Sequence, residues 1–110
     1  MATTQIDTTT LTTIINQCFS FATDAQFSPA DQNSFLIEGK RLRGQLLNLL
    51  SAQFDNTTAQ FAAATASLTA VNTALSNAAT ALANAAATLN TITTLIGNLD
   101  QLLTVATKFV

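Results

Sequence analysis

The sequence predicts an all-α protein, a helical bundle or coiled coil in which two shorter N-terminal helices lead into one long heptad-repeat C-terminal helix. Three observations carry that expectation. Apolar residues recur at helical spacing along nearly the whole chain. Proline occurs once, at position 29. Leu47, Phe54, Phe61, Leu68, Leu75, Leu82, Leu89, Ile96, Leu103 and Val110 stand seven residues apart without a miss, a repeat sustained well beyond the three or four heptads that mark a coiled coil.

The 110 residues are read as one helical domain. Residues 1–7 carry no periodic pattern and are expected to fray. The first helix is expected over residues 8–25, because Leu11, Ile14, Ile15, Cys18, Phe19 and Ala22 define one apolar face. Phe27-Ser28-Pro29-Ala30-Asp31 then reads as a helix start. The Ser28 hydroxyl can cap, Pro29 suits the first helical position because its missing N–H would be unpaired there anyway, and Asp31 favours the positive helix end. The second helix is expected over 29–54, with Phe35, Leu36, Leu42, Leu46, Leu47, Leu49, Leu50 and Phe54 on a broad stripe and Gly39 and Gly44 each costing about 1 kcal/mol relative to Ala.

Asp55-Asn56-Thr57-Thr58 is a cluster of capping residues, so a boundary is expected there. The third helix is expected over 57–110, with any break falling near 84–98, where Asn84, Asn90 and Gly97 lie. As one helix it would span ~80 Å at ~1.5 Å per residue. The second helix would cover only half of that length. Either other subunits cover the remainder, or a hidden turn folds the chain into a four-helix bundle.

The long segment is nearly free of charge. Only 9% of the chain is charged against 48% apolar, and from Asn56 to Leu99 no side chain ionises. Coiled coils commonly choose partners through charges flanking the seam. Here the flanks hold Thr58, Thr65, Asn72, Ala79, Ala86 and Thr93 on one side and Gln60, Ser67, Ala74, Ala81 and Thr88 on the other. Packing, not electrostatics, must therefore specify any assembly. The second seam line is rich in alanine, at Ala64, Ala78 and Ala85, which permits two helix backbones to approach closely. The assembly seam is thus assigned to Phe54, Phe61, Leu68, Leu75, Leu82, Leu89, Ile96 and Leu103, and a homo-oligomer or another helical protein is the expected partner.

Catalysis is not expected. There is no His, Tyr or Trp, which excludes a His-based nucleophilic triad and His-containing zinc sites, and one cysteine cannot build a zinc cluster. The carboxylates Asp7, Asp24, Asp31, Glu38, Asp55 and Asp100 are scattered singly. No cofactor or metal is expected. Cys18 lies on the apolar face of the first helix and reads as a buried thiol. A net charge of −2 argues against nucleic acid.

One charge cluster stands out, Glu38-Gly39-Lys40-Arg41-Leu42-Arg43-Gly44, with three of the four cations of the chain. It lacks the Gly-x-x-x-x-Gly-Lys-Ser/Thr spacing of a phosphate loop. Lys40, Arg41 and Arg43 remain a candidate docking site for an anionic group or partner, against the plainer reading of a solvated helix face with an i,i+3 pair between Glu38 and Arg41.

Residues 1–7 have neither the basic start nor the apolar run of a secretory signal. The best window for a membrane-spanning helix, residues 78–96, is broken by Asn84, Asn90 and several threonines. A cytoplasmic protein or leaderless export fits both. The expected function is a structural or protein–protein interaction module that self-assembles through the uncharged Leu/Ala seam. The alternative is a membrane-active or secreted helical effector that lays its apolar stripe on lipid; such helices usually carry a basic polar face, and this one has none.

Overall fold

The computed structural model describes residues 3–80, 85–106 and 108–109. Among these there are four helices, α1 (Thr8–Ala22), α2 (Pro29–Leu49), α3 (Ala59–Thr80) and α4 (Ala85–Thr104), with three short strands, β1 (Thr3–Thr4), β2 (Ala52–Asp55) and β3 (Lys108–Phe109). The expected fold of two short helices and one long one is corrected: the 57–110 segment is two helices that double back.

The pairing of α3 with α4 is antiparallel. The Thr88 hydroxyl donates to the Ala74 carbonyl at 3.3 Å, and further along the Asn98 amide donates to the Ser67 hydroxyl, so the partner number falls as the residue number rises. The seam residues of α3, Ala64, Leu68, Val71, Leu75 and Ala78, are all buried within the chain. On α4 the buried line is Ala85, Thr88, Ile92, Leu95, Leu99 and Leu102, while Leu89, Ile96 and Leu103 are half-buried beside it. The stripe has moved by one flank because α4 must face two neighbours, α3 and α2.

α1 and α2 form the other hairpin. The Asp7 carboxylate starts α1 by accepting from the Thr10 N–H at 3.0 Å and the Thr10 hydroxyl at 2.6 Å. Ser28 starts α2 by accepting from the Asp31 N–H at 3.1 Å, with Pro29 in the first turn as expected from sequence. Between them Phe21, Phe27 and Phe35 lock the connection, with ring centroids 4.8 to 5.3 Å apart. The first helix stops at Ala22 and not at 25, where the Thr23 and Asp24 N–H groups turn back to the Ser20 and Phe21 carbonyls.

The second helix ends at Leu49, five residues before the expected 54. Residues 52–55 become β2, in which Ala52 and Phe54 are buried and Gln53 and Asp55 are less so, the alternation of a strand. β2 is the central strand of an antiparallel sheet of order β1-β2-β3, with Thr3 opposite Asp55 and Thr4 opposite Phe54 on one side, Ala52 opposite Phe109 and Gln53 opposite Lys108 on the other. The expected fraying of 1–7 is therefore corrected for the described residues 3–7. They are held by this ladder, by buried Ile6, and by the Gln5 amide donating to the Leu50 carbonyl at 2.7 Å.

The sheet fixes the topology. β1 precedes α1, β2 joins α2 to α3 and β3 follows α4, so the helices run alternately away from the sheet and back to it. The result is an up-down-up-down bundle measuring 47 × 20 × 18 Å, in place of an ~80 Å rod.

Candidate functional site

The assigned assembly seam lies mostly inside the molecule. Phe54, Leu68 and Leu75 are buried in the core, and Phe61, Leu89, Ile96 and Leu103 are half-buried against it. Leu82 falls outside the described residues. The structure thus brings α3 and α4 seam residues together as an intrachain interface, with the Phe54 and Phe61 rings tilted against each other at the sheet end at 6.3 Å between ring centroids. Ala64, Ala78 and Ala85 are likewise buried within the chain.

The cation cluster is on the outer face of α2. Lys40, Arg41 and Arg43 are all exposed. Arg41 pairs with Glu38 at 3.6 Å on one flank. Arg43 lies on the other flank, with its guanidinium 5.5 Å from the centroid of the Phe19 ring of α1. Three exposed hydrophobic side chains accompany them. Ile37, Leu47 and Leu50, the large hydrophobics that stand exposed among the described residues, are 41%, 67% and 50% accessible, and all three belong to α2 or the residue that ends it. Leu47 and Leu50 fit the heptad register read from the sequence, but the face that α2 buries is Phe35, Gly39, Leu42, Gln45 and Leu49, and neither leucine lies on it.

A shallow groove of about 440 Å³ separates α2 from α4, lined by Arg41, Gly44, Gln45, Asn48, Ile96 and Asp100. Gln45 forms its floor. Its amide N–H donates to the Ile96 carbonyl at 2.9 Å and to the Asp100 carboxylate at 2.7 Å, which ties α2 to α4, while its Oε1 is buried without a hydrogen-bond partner. Both acceptors face the nitrogen, so the amide orientation is fixed by its surroundings.

Among the described residues no three His, Cys, Asp or Glu side chains gather to hold a metal ion. Cys18 is buried and free, and burial, helped by the negative charge of Glu38, pushes its thiol up to about 12. At neutral pH such a thiol is neither a nucleophile nor a ligand. No helix among the described residues is long and apolar enough to cross a membrane.

Neither a family model, nor a curated protein, nor a solved structure matches this chain. The functional reading therefore rests on the two features just described, the charge-free α3–α4 seam and the outer face of α2.

Proposed function

We propose that the chain is a non-catalytic interaction module that works by helix packing, and that it self-associates by exchanging α4 between two copies. One observation carries the proposal. The heptad register runs from α3 into α4 without a phase change, since Leu75 and Leu89 are separated by two whole heptads. The joining residues Ala81-Leu82-Ala83-Asn84 contain neither Gly nor Pro and are mostly strong helix formers. A continuous helix would present to the α3 of a second copy the same face, Ala85, Thr88, Ile92, Leu95, Leu99 and Leu102, that α4 now turns to the core of its own chain. Exchange of identical elements needs no new contacts, only a hinge that tolerates both forms.

The absence of charge along the seam supports the same reading. With no ionisable side chain between Asn56 and Leu99, no electrostatic pairing prefers the intrachain arrangement to the interchain one. Concentration then decides between them.

The test is light-scattering mass with small-angle scattering over a wide range of protein concentration, preceded by slow equilibration. A particle of 11.5 kDa at low concentration that converts to an elongated dimer at high concentration is expected. Ala83→Gly combined with Asn84→Gly should hold the chain as a monomer, because glycine disfavours the continuous helix by about 1 kcal/mol per site. A wild-type chain that remains 11.5 kDa throughout, or a double-glycine variant that dimerises equally well, would remove the proposal.

A further inference from the structure

The outer face of α2 combines two kinds of group that the rest of the described surface keeps apart. Relative to Lys40, helical geometry places Arg43 and Leu47 within about 60° and Leu50 within about 80° on one side, and Gly44 and Ile37 within about 60° on the other. The exposed large hydrophobics and two of the four cations, Lys40 and Arg43, therefore share one arc of one helix, with Arg41 at its edge. No carboxylate shares it. Glu38 is turned inward, its side chain 13% accessible, and it engages Arg41 on the flank where Asp100 also stands across the groove. Lys40 at the centre is exposed, and Arg43 on the far flank is exposed beside the Phe19 ring.

We infer that this face of α2 docks on an anionic lipid surface, with Leu47, Leu50 and Ile37 entering the headgroup layer and Lys40 and Arg43 meeting lipid phosphates and carboxylates. The inference is separate from α4 exchange, because none of these residues belongs to the α3–α4 interface. Charge complementarity names an anionic occupant. The layout names a planar one, because Ile37 and Leu47 are about 15 Å apart along the helix axis, so apolar groups at the two ends and cations between them lie along a line instead of ringing a pocket. A flat layer of anionic headgroups above hydrocarbon meets such a line along its whole length. Gly44 lies in the middle of the arc, with nothing within 4 Å of the position its Cβ would take, and lets the helix backbone come near the surface. The stems of Lys40 and Arg43 can lie along the interface while their charged ends reach phosphate.

The experiment is co-sedimentation with vesicles of phosphatidylcholine, with and without phosphatidylserine, at low and at high salt. Binding to the phosphatidylserine vesicles at low salt, lost at high salt and weak on phosphatidylcholine alone, is expected. Lys40→Gln with Arg43→Gln should weaken partitioning roughly 30-fold, the combined effect of two cations near an anionic surface. Leu47→Gln with Leu50→Gln should weaken it without changing its salt dependence. All four positions are exposed, so circular dichroism should show both variants folded. Equal binding to neutral vesicles, or wild-type binding by both variants, overturns the inference. No vesicle binding, with Lys40- and Arg43-dependent retention by polyglutamate, also overturns it and moves the face to an acidic polypeptide.

Discussion

Gly39 and Gly44 are five residues apart on α2 and meet opposite surroundings. A Cβ at position 39 would come within 3.1 Å of Phe19 Cε1 and 3.2 Å of Cys18 Cβ. The Phe19 ring can swing, but the Cys18 Cβ is fixed to the backbone of α1, so the helix pair itself would have to open. Gly39 is thus the close-contact point of the α1–α2 hairpin. At position 44 the same atom would meet nothing within 4 Å. Gly44→Ala should therefore stabilise the fold by about 0.5 to 1 kcal/mol through helix propensity. Gly39→Ala should destabilise it by about 1 kcal/mol or more despite the same propensity gain. Urea denaturation of both variants checks the pair; equal signs would refute the assigned contact.

At the scale of elements, the α3–α4 hairpin depends on small residues where the helices approach. Ala78 is fully buried, whereas Ala66 on the same helix is exposed. Ala78→Leu should cost about 1 to 3 kcal/mol by overpacking, and Ala66→Leu should be close to neutral. Thermal melts of the two variants compare them directly. How far these elements can be read from sequence differs by element. The start of α2 is legible because Ser28, Pro29 and Asp31 each act locally. The α1 face is legible because Leu11, Ile14, Ile15 and Cys18 keep helical spacing, and all four are buried. The break between α3 and α4 leaves no trace because the heptad phase runs across residues 81–84 and those residues include no Gly or Pro, so periodicity cannot distinguish a hairpin from a rod. β2 is hidden for a related reason: Phe54 satisfies a period of seven from Leu47 and also the strand alternation with Ala52. β1 and β3 have two residues each, too few to show any period. On the candidate surface, the cations stand out in a chain so poor in charge. The exposure of Leu47 and Leu50 does not, since it depends on which face α2 turns to the core.

For the molecule as a whole, scarcity of charge sets the response to solvent. The ion pair found among the described residues, between Glu38 and Arg41, has an exposed partner and contributes little. Hydrogen bonds from Thr10 hold the Asp7 carboxyl below its ordinary value of 3.8, and hydrogen bonds from Thr57 do the same for Asp55. A carboxyl held low stabilises the fold while ionised; that contribution is complete above the ordinary value and is lost as pH falls through the lower folded one. Cys18 acts at the other end. Its thiol, raised from 9.0 to about 12, leaves stability untouched below the ordinary value and withdraws it as pH rises beyond. A flat melting temperature from about pH 5 to 8, little changed by salt, with losses on both sides, is the expected profile. Asp7→Ala should lower stability by about 1 kcal/mol through the lost cap and shrink the acid limb; a steep slope near neutrality would contradict the profile. The three-stranded sheet has a mechanical consequence. Thr3 is paired at the C-terminal end of β2 and Phe109 at its N-terminal end. Tension applied between those two residues along the strands pulls the outer strands in opposite directions past the central one. The load is a shear borne by the strand ladder, and the four helices are shielded from it until that ladder gives way.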